Sequence, residues 1–241
     1  EGRELAQIFR TAKEAGAVTS CDLALPDPAS PAGEAPWRKI LEAVLPHVDV
    51  FLPSVEEAFF MLEPEAFVRM KQEHGGAELI DFLSPEKYGR IADELLAMGA
   101  KMTSLKSGHR GFYLKTGSRE VLQTIGNDLP ADLDDWASRE VWGPAFHAPN
   151  LASATGSGDS SIAGFLTAFL RGETVERTVQ SANCLGWQNV QVLDAVSGIG
   201  SWGDTVALLE KRMPTNDAHL EGAGWKWSAD AGVWLGPADR G

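Results

Sequence analysis

The sequence predicts an α/β fold, a three-layer α/β/α sandwich around a mainly parallel central sheet. Three observations carry that prediction. Short apolar runs of strand length alternate with longer segments of helical period up to about residue 211. Proline, glycine and helix-capping residues stand where one type gives way to the other. With 241 residues and 44% hydrophobic content, the chain can bury one large core or two smaller ones.

The elements follow in order. Glu4 to Ala15 places Leu5, Ile8, Phe9 and Ala12 on one helical face, and Gly16 stops it. Ala17 to Cys21 reads as a short buried strand, with Asp22 at its carboxyl end, the end where ligands collect in open α/β sheets. Leu23 to Pro36 is proline- and alanine-rich and reads as an irregular loop. Trp37 to Leu45 is a helix and Val48 to Leu52 a strand. Ser54 then N-caps a helix whose first turn holds Glu56 and Glu57. A short helix is expected over Pro64 to Met70, and an amphipathic one over Pro85 to Met98. Lys101 to Leu105 is the next strand, and Lys106 to Gly111 turns the chain tightly into Phe112 to Lys115. Gly126 to Ala137 reads as a solvated acidic loop carrying Asp128, Asp132, Asp134 and Asp135, with a metal site as the rarer alternative. Glu140 to His147 alternates like a strand, Thr174 to Leu193 is a long helix, and Asp204 to Lys211 is the last helix of the core.

The chemistry concentrates between Leu151 and Leu170. A small-residue loop, Ala154 to Gly158, meets Asp159 and a helix with Ile162, Phe165, Leu166, Phe169 and Leu170 on one face. Glycine at a helix start leaves backbone N–H groups uncovered, and these, with the helix dipole, attract an anion. The same dipole favours an acid in the first turn, where Asp159 stands. Donors for a developing phosphate charge and a base for an attacking hydroxyl then stand side by side, as phosphoryl transfer to an alcohol requires. A bare Gly-x-Gly-Asp also makes ordinary turns, so the surrounding residues decide its meaning.

Those surroundings resemble the C-terminal signature of the ribokinase-like (PfkB) carbohydrate kinases. The match runs through Thr155, Gly156, Gly158, Asp159, Ala163, Gly164, Phe165 and Leu166, with departures at Ser153, Ala154 and Ser157. The resemblance covers roughly residues 1 to 211. It implies the ribokinase fold and a set of roles: Asp159 as base, with N–H groups of Gly156, Ser157 and Gly158 stabilising the transferred phosphoryl group. Thr155 belongs to the same loop. Glu57 matches the acid of an Asn-x-x-Glu element that supports magnesium, with Ser54 in the Asn position. Lys106, Gly108 and Gly111 match an element that borders the nucleotide, and Asn183 falls where the family packs an Ala-Asn pair under the base. Asp22 alone survives of an Asp-x-Asn-x-Arg element. The resemblance therefore implies ATP and Mg2+, and also a monovalent cation (K+) beside the Asp that is Ser153 here.

Composition narrows the alternatives. A formal net charge of −13 repels nucleic-acid phosphate and anionic membranes, so neither is an expected partner. No apolar run approaches the roughly 18 residues of a membrane span. Cys21 and Cys184 show neither zinc-ligand nor disulfide spacing, which makes a reducing cytoplasm the default compartment. Gly198 to Gly203 satisfies Gly-x-Gly-x-x-Gly, yet a dinucleotide fingerprint needs a strand before it, and a helix is expected there. No Walker or hydrolase-elbow pattern occurs. Met213 to Gly241 forms a Trp- and Gly-rich extension to the 1–211 core. Its tryptophans fold back onto the body or bury against a second subunit in a homodimer.

The expected function is ATP-dependent phosphorylation of a hydroxymethyl group on a sugar or sugar-like alcohol. A nucleoside kinase of the same fold is the nearest alternative, and a non-catalytic sugar- or nucleotide-binding relative a second. An NAD-dependent oxidoreductase stands or falls with a strand before Gly198. Glu1 in place of Met, opening close to a helix, reads as a piece of a longer polypeptide.

Overall fold

The computed structural model describes residues 2–126, 132–220 and 224–240. Along the chain run α1 (Arg3–Glu14), β1 (Ser20–Cys21), α2 (Trp37–Val44), β2 (Val50–Phe51), α3 (Val55–Leu62), α4 (Pro64–Glu73), α5 (Pro85–Ala97) and β3 (Met102–Lys106). They are followed by β4 (Phe112–Thr116), α6 (Arg119–Leu122), α7 (Leu133–Trp136), β5 (Glu140–Gly143), α8 (Ser157–Leu170), α9 (Val175–Asn189), α10 (Trp202–Glu210), β6 (Lys226–Ser228) and β7 (Val233–Leu235). The chain divides into two compact units, one of residues 1–105 and 115–129, the other of residues 106–114 and 130–241.

In the first unit β1, β2 and β3 pair in parallel, with Ser20 opposite Val50 and Val50 opposite Met102. The strand expected from Ala17 shrinks to Ser20–Cys21 for one local and one long-range reason. Gly16, at φ +85°, closes α1 by directing Ala17 N–H back to Ala12 O at 3.1 Å. Thr19 N–H then donates to the buried Asp49 carboxylate at 2.9 Å. Asp49 is fully buried and paired with Lys13 at 2.6 Å, so its charge is compensated. The core centres on α3, where Phe59 and Phe60 meet the Phe67 ring edge-on at 5.6 and 5.4 Å. Helix α4 runs further than expected, to Glu73, where Gly75 and Gly76 in left-handed backbone end it.

The second unit is built on α8 and α9, which pack closely because glycine faces the partner helix at both ends. A Cβ on Gly164 would lie 2.5 Å from Ser181 O, and one on Gly186 2.5 Å from Ser161 Oγ. Beneath them Phe165 stacks on Phe112 at 5.7 Å and meets Trp136 edge-on at 6.2 Å. The 213–240 segment is part of this unit. Here β7 pairs antiparallel with β5 and with β6, and Trp225 packs edge-on against Tyr113 and Trp142 at 6.1 and 5.9 Å. Arg139, only 4% exposed, joins Asp239, Glu176 and Asp135. The tryptophans thus fold the tail back onto its own unit.

Strand β5 ends at Gly143 because Pro144 cannot donate to a ladder. Helix α9 ends at Asn189 rather than Leu193, since Val190 O accepts Ala152 N–H at 2.8 Å and Ser153 N–H at 3.3 Å. In the acidic stretch Asp132 caps α7 through the N–H groups of Asp134 and Asp135, and Asp128 lies outside the described residues. Among the described residues, no group of three or more His, Cys, Asp and Glu could hold a metal ion, and no helix is long and apolar enough to cross a membrane.

Candidate functional site

The loop before α8 is shaped by the end of α9 and the turn after it. Val190 O anchors Ala152 and Ser153, and Asn189 Nδ2 donates to Ala195 O at 2.7 Å. Gly156 then takes φ +80°, which a side chain would strain. A Cβ there would also sit 2.8 Å from Ala195 Cβ. Asp194 holds that turn by accepting from Val196 N, Ser197 N and the Ser197 hydroxyl. The Ser197 hydroxyl, followed by the two backbone N–H groups, pulls the Asp194 carboxyl down to about 2. Neither Asn189 nor Asp194 was singled out from sequence. Asp194 carries the usual signal of a turn-forming Asp with Ser close behind, whereas Asn189 carries none.

Helix α8 starts without a side-chain cap. Ser157 N–H donates to Ala154 O at 3.1 Å and Thr155 N–H to Ser153 Oγ at 3.1 Å, so the Ser157 donor expected to face an anion is already engaged. The N–H groups of Gly158 and Asp159 donate to no acceptor among the described residues. The Asp159 side chain is exposed beside them.

Gly158 is the most telling residue of the loop. Its φ lies outside the left-handed region, and a Cβ on it would meet only Lys106, with Cε at 3.6 Å and Cδ at 3.8 Å, ordinary contact distances. Neither backbone nor packing requires glycine there, and glycine is a poor helix former. Apart from Lys106, the space beside it is open. Those distances put the Lys106 stem beside the first turn of α8.

The turn after Lys106 is explained by its own backbone. Ser107 N–H donates to Gly111 O at 2.9 Å. Gly108 and Gly111 adopt φ +48° and +104°, and a Cβ on Gly111 would lie 2.1 Å from Gly143 O. Asn183 is buried, and its Nδ2 donates to Gly143 O at 2.8 Å, which fastens α9 to the end of β5. Gly156, Ser157, Gly158, Asp159, Thr155, Lys106, Gly108, Gly111 and Asn183 all belong to the second unit.

Glu57 belongs to the first unit. Its carboxylate accepts Ser54 N–H at 2.6 Å while Ser54 Oγ accepts Glu57 N–H at 3.2 Å, a reciprocal capping box on α3. Asp22 follows the edge strand β1 of the same unit. The Gly198–Gly203 stretch follows α9, with no strand before it among the described residues. A Cβ on Gly198 would lie 2.5 Å from Gln188 O, so packing accounts for that glycine and the dinucleotide reading falls.

Comparison with known proteins bears on this arrangement. A family model described as pfkB family carbohydrate kinase matches residues 2–199. A relative from Archaeoglobus fulgidus described as an uncharacterized sugar kinase is 23% identical over 159 residues, which cover 66% of this chain and 46% of the relative. Among solved structures, Arabidopsis thaliana ribokinase complexed with ribose and ATP superposes with a TM-score of 0.60 at 18% identity, covering 87% of this chain and 53% of that one. Aminoimidazole riboside kinase from Salmonella enterica gives 0.57 at 15% identity, covering 85% and 56%. These likenesses show the ribokinase-like α/β fold. The chain spans about half the length of the relatives it matches.

Proposed function

The chain belongs to the pfkB family of carbohydrate kinases, and on that premise we propose that the complete protein transfers the terminal phosphoryl group of ATP to a hydroxymethyl group of a sugar or sugar-like alcohol. The single observation that carries the reading is Gly158, a glycine that neither its φ nor its packing explains, at the start of α8 between Lys106 and Asp159.

On this reading the unengaged N–H groups of Gly158 and Asp159 donate to oxygens of the transferred group, where negative charge builds up. Lys106 adds a point charge at the same place. The Asp159 carboxylate accepts the proton of the attacking hydroxyl, so a neutral alcohol is not required to attack unaided. The Ser157 N–H can join only by giving up Ala154 O. Because the loop is pinned by Val190 and by Asn189 through Ala195, these donors are in place before substrate arrives.

The residues fit a nucleotide phosphate better than they fit a bare metal ion. Mg2+, when bound, neutralises phosphate charge and is usually held by the phosphates with one or two carboxylates. Glu57 is the carboxylate that the resemblance offers for it. A monovalent cation would have the Asn189 Oδ1 near the loop, a buried oxygen with no hydrogen-bond partner, though Ser153 supplies no charge.

The test is Mg2+-dependent ADP release by the complete protein across sugars, sugar acids and nucleosides, with Asp159→Asn as control. Release with one alcohol that disappears in the variant supports the reading and names the acceptor. Release confined to nucleosides would move the reading to a nucleoside kinase. ATP binding without release for any acceptor would favour the non-catalytic relative, to which Ser153, Ala154 and Ser54 already lean.

A further inference from the structure

The tail does more than extend the sheet. Between Pro214 and Leu220 it crosses the turn that follows Lys106 and ties that turn to the segment after β5. Thr215 bridges antiparallel to Phe146. His147 N–H donates to Pro214 O at 2.9 Å, and Asn216 N–H to Ala145 O at 2.8 Å. The Asn216 side chain reaches the turn itself, its Nδ2 donating to His109 O at 3.0 Å. Arg110 completes the tie. Only 3% exposed, it donates to Ala218 O through Nε at 3.2 Å and a terminal nitrogen at 3.0 Å. Its guanidinium lies 5.0 Å from the Trp142 ring centre, and Trp142 Nε1 donates back to Arg110 O at 2.8 Å.

This strap lies beyond residue 199, where the family match ends. The two guanidinium hydrogen bonds to Ala218 O are charge-assisted and join the strap to the turn. The turn begins one residue after Lys106, whose Cε would lie 3.6 Å from a Cβ placed on Gly158. We propose that the Pro214–Leu220 strap, acting through Arg110 and Asn216, is a positioning element that holds Lys106 against the α8 N-terminus and so sets the affinity for nucleotide phosphate. The inference rests on the phosphate reading of that site. Arg110 touches no reacting atom on this account and acts only through Lys106.

The experiment is a double-mutant cycle in the complete protein, read by calorimetric ADP binding. Arg110→Met and Lys106→Met should each weaken ADP about tenfold, the scale of one charge-assisted contact. The double variant should weaken it no further, because both remove the same placed ammonium. Additive losses, about a hundredfold in the double variant, would overturn the proposal. So would a lower melting temperature for Arg110→Met at unchanged ADP affinity. Trp227→Ala, which loosens the exposed end of the β6–β7 hairpin without touching the strap, should lower stability and leave ADP binding alone.

Amide exchange separates failure of the strap from failure of the phosphate reading. Arg110→Met and Asn216→Ala should speed exchange at Ser107, Arg110 and Gly111, whose N–H groups close the turn, even if wild type binds no ADP. Unchanged protection at those amides would refute the strap.

Discussion

Two helix starts in this chain look alike in sequence and differ in what they leave exposed. Helix α3 follows a strand and opens with Ser54, Glu56 and Glu57; helix α8 follows a loop and opens with Gly156, Ser157, Gly158 and Asp159. At α3 the side chains satisfy the helix's own end: Ser54 and Glu57 cap each other, and Glu56 takes Leu79 N–H at 2.8 Å and Lys71 at 2.8 Å. At α8 no side chain caps the end, and the acid stands exposed. Glycine alone is not the distinction, because α1 also starts at a left-handed glycine, whose Cβ would meet Ile40 at 3.2 Å. The lesson is that a helix start closed by its own residues is architecture. One that keeps a glycine nothing in the protein needs is where the proposed phosphate contact is to be tested.

The largest effect should come from Asp159→Asn. Turnover of the complete protein is expected to fall by about 10²–10⁴, the usual worth of a positioned general base, while ADP affinity stays within about twofold, because a base acts in the transition state. Steady-state kinetics beside calorimetry checks it, and near-normal turnover would remove Asp159 from the role. Next comes the glycine pair. Gly158→Ala should weaken ADP by about tenfold or more while stability holds or rises by up to about 1 kcal/mol, since alanine favours the helix. Gly156→Ala should instead cost about 1–2 kcal/mol in a melting experiment, because its backbone is left-handed. Should Gly158→Ala bind ADP normally, the contrast drawn between α3 and α8 would collapse.

A smaller loss is expected at the closed helix start. Ser54→Ala should destabilise the protein by about 1 kcal/mol, the worth of an N-cap, with turnover nearly unchanged; a large turnover loss would instead draw the α3 start into the chemistry. The smallest effect concerns Asp194. Its carboxyl is depressed to about 2, so the turn's contribution is complete above the unfolded value near 4 and disappears as pH falls through about 2. Carboxyl carbon NMR should show that low titration, and a midpoint near 4 would mean the Ser197 contacts do not persist in solution.

Much of the fold was legible because it is written locally. The 3.6-residue period marked α1, α5 and α8, Gly16 marked the end of α1, and Ser54 with the acids behind it marked the start of α3. Two errors fell where a distant group intervened: Asp49 takes the N–H of Thr19 and shortens β1, and Val190 gives its carbonyl to Ala152 and ends α9 early. A third was local, since Pro144 stands next to Gly143 and cuts β5. The candidate site divides in the same way. Asp159 and its glycines could be read from their neighbours, but nothing adjacent to Lys106 says that its stem rests on Gly158. Nothing near Asn183 says that its amide is spent on Gly143, and nothing near Arg110 says that it reaches Ala218.

By itself, then, the sequence determined the α/β alternation, the helix caps and the Gly156–Asp159 motif with its family. These depend on φ preferences and on periods that act within a few residues. Only the tertiary structure decided which helix start stays open, where the tail joins β5, and which lysine stands at the motif. Those outcomes depend on which apolar faces bury together and which donors are left over once they have, and that is a property of the packed chain and not of any stretch of it.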